Sequence, residues 1–594
     1  MNLSKIFPKE RLLDNPIFRL AYSHDASIYR LVPKAVVRPQ DEKEVKSLLE
    51  YCRDMHTPVT FRAGGTSLSG QSITEGIIAE IIQNWEQHKE MNSGKQIELQ
   101  PGVIGARANL YLKPYQRIIG PDPASINVAR IGGIVSNNSS GMVCGVDNNT
   151  YHTLDSIRFI LSSGHTYDTS VQSHYQIFNE KESVLSEALL QCKREIESNH
   201  NLVNKIRAKY RIKNTLGYSL NSFLDYDHPL DIFAHLLVGA EGTLAFISQV
   251  TLNTIPDPPR KITGLVLFDS VDKTIQALPM LIDAGADAVE LLDDASLRTV
   301  RYLKTPLFDP KIIRTDMAGL LFEFQKYNQD SIDELVKNIP IELQKVGCVL
   351  SFGPTEDEAT RIQLWNLRKG LYPTVGAMRE KGTSVITEDL CYHYNDLPEV
   401  IKELRIICQK WRYDDSVIFG HAKEGNLHFA ASMDFNSSDG VKRFDGLLKD
   451  MAELTVDKFN GSLKAEHGTG RNMAPFVEYE WGGELYQIMW KIKQNADPEG
   501  ILNPDVLLTK DQKLHLKNLK PIPIVDDSLD LCVECGFCEP ICPSAGLSLT
   551  PRQRIVIARE LRLNEKDTGI NQKKLLEDID YNSNKTCAAD GLCE

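Results

Sequence analysis

The chain has 594 residues, 42% of them hydrophobic, with a net charge of −13 at pH 7 and a pI near 5.6. That length implies several domains with real cores, and the acidic balance excludes nucleic acid as a main partner, which would select a basic surface. No run of about 18 apolar residues occurs and MNLSKIFPKERLLDNP lacks a signal-peptide core, so the expectation is a cytoplasmic protein with no transmembrane segment, free or peripheral at the inner membrane face.

Residues 1–32 read as a helical lead-in. From Pro33, short apolar runs broken by Gly and Pro alternate with amphipathic segments such as DEKEVKSLLEYC, an α+β pattern. The strand PVTF leads directly into Arg62-Ala-Gly64-Gly65-Thr66-Ser67-Leu-Ser-Gly70. Adjacent glycines let a backbone approach a diphosphate, and successive N–H groups with hydroxyls can cradle it. The spacing is neither G-x-G-x-x-G nor G-x-x-x-x-G-K-[ST], so the Rossmann and P-loop readings fail. Alone, a tight turn explains it more economically. Three further clusters follow: Pro121-Asp122-Pro123, then Ile-Gly132-Gly133-Ile-Val-Ser136-Asn137-Asn138-Ser-Ser-Gly141, then Gly-Ala-Glu241-Gly242-Thr-Leu-Ala-Phe-Ile247. Residues 178–210 read as a polar helical insertion on the surface.

Residues 258–510 read as a second α+β unit. In it, Gly420-His421-Ala-Lys-Glu-Gly-Asn-Leu-His428 reads as two strands joined by a Gly/Asn turn, which brings the two imidazoles together. Two imidazoles and one carboxylate suit a divalent ion of zinc or manganese type with an open position. Glu466, in Glu466-His467-Gly-Thr-Gly, is the third candidate ligand. A His pair beside a turn is by itself more often structural; the neighbouring Glu-His-Gly-Thr-Gly tips that balance.

A basic, Pro-containing linker at 511–526 leads into a module at 527–594. Its Cys532-x2-Cys535-x2-Cys538-x3-Cys542-Pro run has the spacing that wraps a [4Fe-4S] cluster, a zinc knuckle being the rival. Cys587-x2-Asp590-x2-Cys593 repeats it with Asp at the middle position. In two-cluster proteins the last Cys of each motif ligates the other cluster. Cys542, Cys587 and Cys593, with Asp590 as an oxygen ligand, would then share a second iron–sulfur cluster, and the module reads as incomplete, part of a longer protein. The remaining cysteines (52, 144, 192, 348, 391 and 408) are scattered, as in a reducing compartment.

The ordered set RxGGTS, PDP, GG-x2-SNN, GxEGT and FIS over residues 33–257 resembles the FAD domain of the vanillyl-alcohol oxidase/p-cresol methylhydroxylase superfamily. The resemblance implies non-covalent FAD with its diphosphate on the 62–70 loop and its ring near 121–141 and 239–247. The implied cofactor residues are Arg62, Gly64, Gly65, Thr66, Ser67, Gly70, Pro121, Asp122, Gly132, Gly133, Ser136, Asn137, Asn138, Gly141, Glu241, Gly242, Ile247 and Asn503. The motifs WNLR (365–368), TED (387–389), GHxxxGNLH, EHGTG and ILNPD (501–505) resemble the FAD-linked D-2-hydroxyacid dehydrogenases, of the iron–sulfur D-lactate type. The fold expected is α+β: a two-part FAD-binding domain, an α+β substrate domain over 258–510 and a small helical ferredoxin-like module.

For that chemistry Arg368 is expected to clamp a carboxylate, the metal on His421, His428 and Glu466 to bind a hydroxyl, and His467 to act as general base. Electrons would pass from FAD through the clusters to a cytochrome, a quinone or a partner protein. Phe429 and Ala430 suggest an apolar pocket and D-lactate; Lys423 or Lys381 would instead anchor a second carboxylate, as for D-2-hydroxyglutarate, and glycolate is a further alternative. A non-catalytic electron-transfer subunit is the rival of another class.

Overall fold

The computed structural model describes residues 2–302, 307–563 and 572–591 and contains three sheets. The first has β1 (Leu12–Leu13), β2 (Ala35–Val37), β3 (Val59–Arg62) and β4 (Ile77–Glu80) in the order β1-β2-β4-β3. Strands β2, β4 and β3 are parallel, so the chain must cross over between them. The helix Glu42–Asp54 makes one crossover. Asp41 caps it by accepting the Glu44 N–H at 2.9 Å, and Val45, Leu48, Leu49 and Cys52 form one buried stripe. β3 then delivers Arg62 and the glycine loop to the carboxyl ends of the parallel strands, the end of such sheets that binds ligands.

Residues 1–32 are not a helical lead-in. One short α-helix, Pro16–Ala21, is present; β1 pairs with β2, and Tyr22–Tyr29 are buried. Ser27 donates to Asp25, which satisfies polar groups in that stretch and lets it lie inside without regular structure.

The second sheet comprises β5 (His88–Met91), β6 (Gln96–Leu99), β7 (Arg117–Ile119), β8 (Leu154–Leu161), β9 (Thr166–Asp168) and β10 (Ala245–Pro256). Its order is β5-β6-β10-β8-β9, with β7 also on β10. Helices Gln172–Lys181, Ser183–Glu197 and His200–Lys209 pack beside it. They are not a surface appendage: Phe178, Leu185, Leu189, Cys192, Ile196 and Ile206 belong to the main core. Their helical spacing is an inward-facing stripe.

The third sheet carries β11 (Arg260–Phe268), β12 (Ala288–Asp293), β13 (Ala318–Lys326), β14 (Leu350–Thr355), β15 (Ser384–Cys391), β16 (Val417–His421) and β17 (Asn426–Met433). Its antiparallel order is β14-β11-β13-β12-β16-β17-β15. After it the chain returns to the first sheet. Leu502 bridges to Val59, and Asn503 donates to the carbonyls of Gln71 and Glu241 while accepting from Thr60. The end of the 258–510 unit is therefore built into the flavin domain, because a buried amide has three partners waiting there.

The 511–526 linker is fastened to the rest of the protein. Leu514, His515 and Lys520 are buried, and Lys520 Nζ donates to Asp25 O and to Glu534 at 2.7 Å. Beyond it, the helix Pro551–Glu560 opens with a Thr550/Gln553 capping box. Among the described residues, no helix is long and apolar enough to cross a membrane.

Candidate active site

One row of side chains crosses four adjacent strands of the third sheet. Glu290 on β12 lies opposite His421 on β16, His421 lies opposite Asn426 on β17, and His428, two residues further on β17, lies opposite Asp389 on β15. Side chains two apart on a strand share a face, so all of these point the same way. Gly425, at φ 68°, makes the turn that sets this register.

The atoms converge. His421 Nε2 is 3.2 Å from Glu466 Oε1, His428 Nε2 is 3.4 Å from the same oxygen, and the two Nε2 atoms are 3.4 Å apart. A tetrahedral zinc site with N and O ligands at about 2.0–2.1 Å has ligand–ligand edges of about 3.3 Å. His421 Nδ1–H donates to Glu290 Oε1 at 2.7 Å, leaving the Nε2 lone pair turned inward. Burial is the largest influence on His421 and disfavours charge, yet Glu290 and Glu466 outweigh it and raise its pKa. Burial pulls His428 down to about 4, so it is a neutral imidazole at physiological pH. Two inward-facing imidazole nitrogens and a carboxylate oxygen make a donor set that fits a divalent cation.

Two residues not singled out in the sequence complete the set. Lys213 Nζ, buried, donates to Glu466 Oε2 at 3.0 Å and to Gly141 O at 2.8 Å. Burial opposes the Glu466 charge, but Lys213 and His421 prevail and hold its pKa well below the usual carboxylate range. Glu290 also accepts from Arg368 Nε at 2.6 Å, so Arg368 sits beside the His421 column, its guanidinium over the Phe419 ring. A lone acid inside the apolar run Ala-Val-Glu290-Leu-Leu was the available signal for Glu290; Lys213 had none.

The 466–470 loop is held by every backbone N–H it has. Asp389 Oδ2 accepts from Glu466 N at 2.6 Å and His467 N at 2.8 Å; Thr215 accepts from Gly468 N; Glu241 accepts from Thr469 N at 2.5 Å and Gly470 N at 2.9 Å. Asp389 thus has structural duties, with Asn426 on its other oxygen, although its carboxylate, His428, Glu466 and His467 all come within 4.8 Å. The converging Nε2, Nε2 and Oε1 atoms are the better cation cradle. His467 stacks on His428 at 5.0 Å between centroids and 16° between planes, and its Nδ1 is buried with no hydrogen-bond partner.

The same loop borders the glycine clusters. Gln71 and Asn137 donate to His467 O, Glu241 N donates to Ser136 O, and Arg471 N donates to Ser69 O. A β-carbon added at Gly133 or Gly242 would meet nothing within 4 Å, and Ser69 Oγ and Arg471 Nε are buried without partners. Open space against bare glycine backbone, flanked by orphaned polar groups, fits a flavin nucleotide. Gly64, Gly65, Thr66, Ser67 and Gly70 form the loop, with Gly65 at φ 59° over the Arg62 guanidinium. Several expected contact residues are occupied elsewhere. Asp122 accepts from Val143 N and Cys144 N, and Gly141 lies against its carbonyl; Asn138 accepts from Tyr151 N; Asn503 and Glu241 bind protein groups; Ile247 lies in the core on β10. Gly132 is backed by Pro101.

Neither lysine considered for a second carboxylate points here. Lys423 donates to Ala286 O and Lys381 pairs with Asp527. Phe429 pairs with Ile418 and lies in the core on the sheet face opposite His428.

Cys532, Cys535, Cys538 and Cys542 are partly exposed free thiols, and Cys532 Sγ accepts from Glu534 N at 3.3 Å. Ser544 and Ser548 donate to Thr586, which brings the Cys542 and Cys587 segments side by side. Cys593 lies outside the described residues.

This geometry has counterparts. Residues 33–170 match the FAD binding domain, and residues 257–507 match the C-terminal domain of FAD-linked oxidases. The chain thus carries two regions similar to the domains of FAD-linked oxidases, and its fold is that of p-cresol methylhydroxylase. The solved structure of p-cresol methylhydroxylase with substrate bound superposes with a TM-score of 0.61 at 13% identity, covering 85% of this chain and 95% of that one. More particularly, the chain is distantly homologous to D-2-hydroxyglutarate dehydrogenase of Pantoea ananatis (strain AJ13355), 26% identical over 94% of this chain and 59% of that protein. Glycolate oxidase subunit GlcD of Bacillus subtilis (strain 168) is 24% identical over 86% of this chain and 97% of its own. The mitochondrial D-lactate dehydrogenase (cytochrome) 1 of Saccharomyces cerevisiae is 23% identical over 81% and 73%. The chain spans about three fifths of the length of the D-2-hydroxyglutarate dehydrogenases it matches.

Proposed function

We propose that the chain oxidises a D-2-hydroxy acid, D-lactate to pyruvate being the preferred reading, and passes the electrons through cysteine-bound iron–sulfur clusters to a cytochrome, a quinone or a partner protein. The observation that carries this reading is the convergence of His421 Nε2, His428 Nε2 and Glu466 Oε1 beside His467, next to the glycine-lined seam. FAD held along the Gly64–Gly70 loop would supply hydride-accepting chemistry, a divalent ion held by His421, His428 and Glu466 would supply Lewis acidity toward the hydroxyl, and clusters held by the cysteines would supply one-electron transfer.

The protein groups do the rest. His467 accepts the hydroxyl proton at its imidazole, whose nearest anion, Asp389 Oδ2 at 3.9 Å from Nδ1, stabilises the imidazolium that results. Arg368, fixed through Nε on Glu290, offers its Nη groups to the substrate carboxylate. Glu290 and Lys213 hold His421 and Glu466 in their ligand forms.

D-lactate is preferred because Lys423 and Lys381 are committed elsewhere. D-2-hydroxyglutarate is the second reading, favoured by relatives of that name that match 92–94% of this chain. The test of the assigned roles is His467→Ala in FAD-loaded protein under anaerobic stopped flow. Flavin reduction should slow by about 10²–10⁴-fold, the usual contribution of a general base. An unchanged rate removes His467 from the mechanism.

A further inference from the structure

Arg552 joins the segment between Cys532 and Glu560 to the proposed flavin loop. Arg552, on the helix Pro551–Glu560, is 3% exposed. Its Nη1 donates to Gly65 O at 2.6 Å and its Nη2 to Gly64 O at 3.3 Å, the two adjacent glycines of the proposed diphosphate cradle. Its other contacts all lie in the cysteine loop: Nη2 to Glu539 at 2.5 Å and Nη1 to Glu534 O at 3.4 Å. Gly536, at φ 84°, lies so close that a β-carbon there would come within 2.9 Å of Nη1. One buried guanidinium is therefore clamped between the loop that bears Cys532, Cys535 and Cys538 and the carbonyls of Gly64 and Gly65.

A peptide whose carbonyl is fixed on one side presents its N–H on the other, because the unit is planar. Holding Gly64 O and Gly65 O fixes the orientation of the 64–65 and 65–66 peptide planes, and with them the N–H groups of Gly65 and Thr66. A guanidinium charge behind these peptides also favours an anion in front of them. Gly65 at positive φ is the conformation in which successive N–H groups form an anion-binding concavity.

We infer that Arg552 makes the cysteine module part of the FAD-binding site, so that binding of FAD and docking of the Cys532–Cys542 loop stabilise one another. The inference rests on the FAD reading above. Coupling of this kind is reciprocal: whatever factor the docked loop adds to FAD affinity, FAD adds to docking. The arrangement ties flavin retention to the presence of a seated electron-transfer module.

The experiment uses the full chain stripped of FAD and then titrated with FAD, with flavin fluorescence for Kd and amide hydrogen exchange over 532–542. In the wild-type chain, FAD should slow exchange in 532–542. Arg552→Ala should weaken FAD binding by about tenfold or more, the loss expected for charge-assisted hydrogen bonds, and abolish that protection. Arg552→Lys, which keeps the charge without the two-pronged geometry, should fall between and guards against a variant that simply misfolds. Wild-type chain that binds FAD without any change over 532–542, or Arg552→Ala with Kd within twofold of wild type, overturns the inference and leaves the flavin reading intact. Wild-type chain that binds no FAD overturns both.

Discussion

Glu290 Oε1 accepts the Nδ1–H of His421 at 2.7 Å from directly across the β12–β16 pair. That one bond decides which nitrogen of His421 faces Glu466 and His428. Removing it frees the ring to rotate or change tautomer, and outer partners of this kind are worth about 10–100-fold in metal affinity. Glu290→Ala should lower zinc or manganese affinity by that factor in a competitive chelator titration, while FAD affinity stays at the wild-type value.

Asp389→Asn tests the loop anchorage. Its Oδ2 receives two backbone N–H groups and its Oδ1 receives Asn426 Nδ2, so the site offers donors only. An amide NH2 placed there faces another donor on whichever side it turns. Each buried group left without a partner costs about 1–3 kcal/mol. Both a lower melting temperature and slower flavin reduction are expected, because Glu466 and His467 lose their shared anchor; wild-type values for both would contradict the loop account.

Lys213→Met strands the Glu466 charge. Breaking a buried pair by removing one partner costs about 3–5 kcal/mol. In metal-free protein the single variant should melt well below wild type, and Lys213→Met with Glu466→Gln should recover most of the loss. A double variant as unstable as the sum of the two singles would show that the pair does not interact.

Acid sensitivity should arise where the N-terminal segment meets the cysteine module. Glu560 binds Arg30 in bidentate fashion and lies 3.3 Å from His24 Nε2. Burial opposes its charge, but Arg30 and His24 outweigh burial and lower its pKa below the ordinary 4.5. A depressed carboxylate contributes stability that is complete above the unfolded value and is lost as pH falls through the folded one. Denaturant stability should therefore decline as pH drops below about 4.5, and Glu560→Gln should be less stable at pH 7 and decline less steeply. Parallel pH profiles for the two proteins would remove Glu560 as a cause.

The hairpin of β16 and β17 was legible because a strand has period two. Gly420–His428 with a Gly/Asn turn permits few registers, and the one adopted puts both imidazoles on one face. Glu466 and His467 drew notice in the sequence because Gly468 and Gly470 follow them. Glu290 and Lys213 were not, since nothing local tells which acid in a buried strand will meet which base 131 residues on, as Glu290 meets His421. The helices at 172–209 were misread as surface because their polar faces dominate composition while a narrow stripe decides packing. Residues 1–32 were misread for a related reason. Their burial depends on partners far along the chain, such as Glu534, 510 residues from His24.

Anaerobic mixing of FAD-loaded protein with D-lactate, L-lactate and D-2-hydroxyglutarate in turn, followed at the flavin absorbance band, tests the central claim most directly. The account predicts rapid bleaching by D-lactate and none by L-lactate; bleaching by D-2-hydroxyglutarate instead keeps the site chemistry and changes the acid. A flavin band untouched by any D-2-hydroxy acid, with FAD bound and the metal site filled, would contradict it.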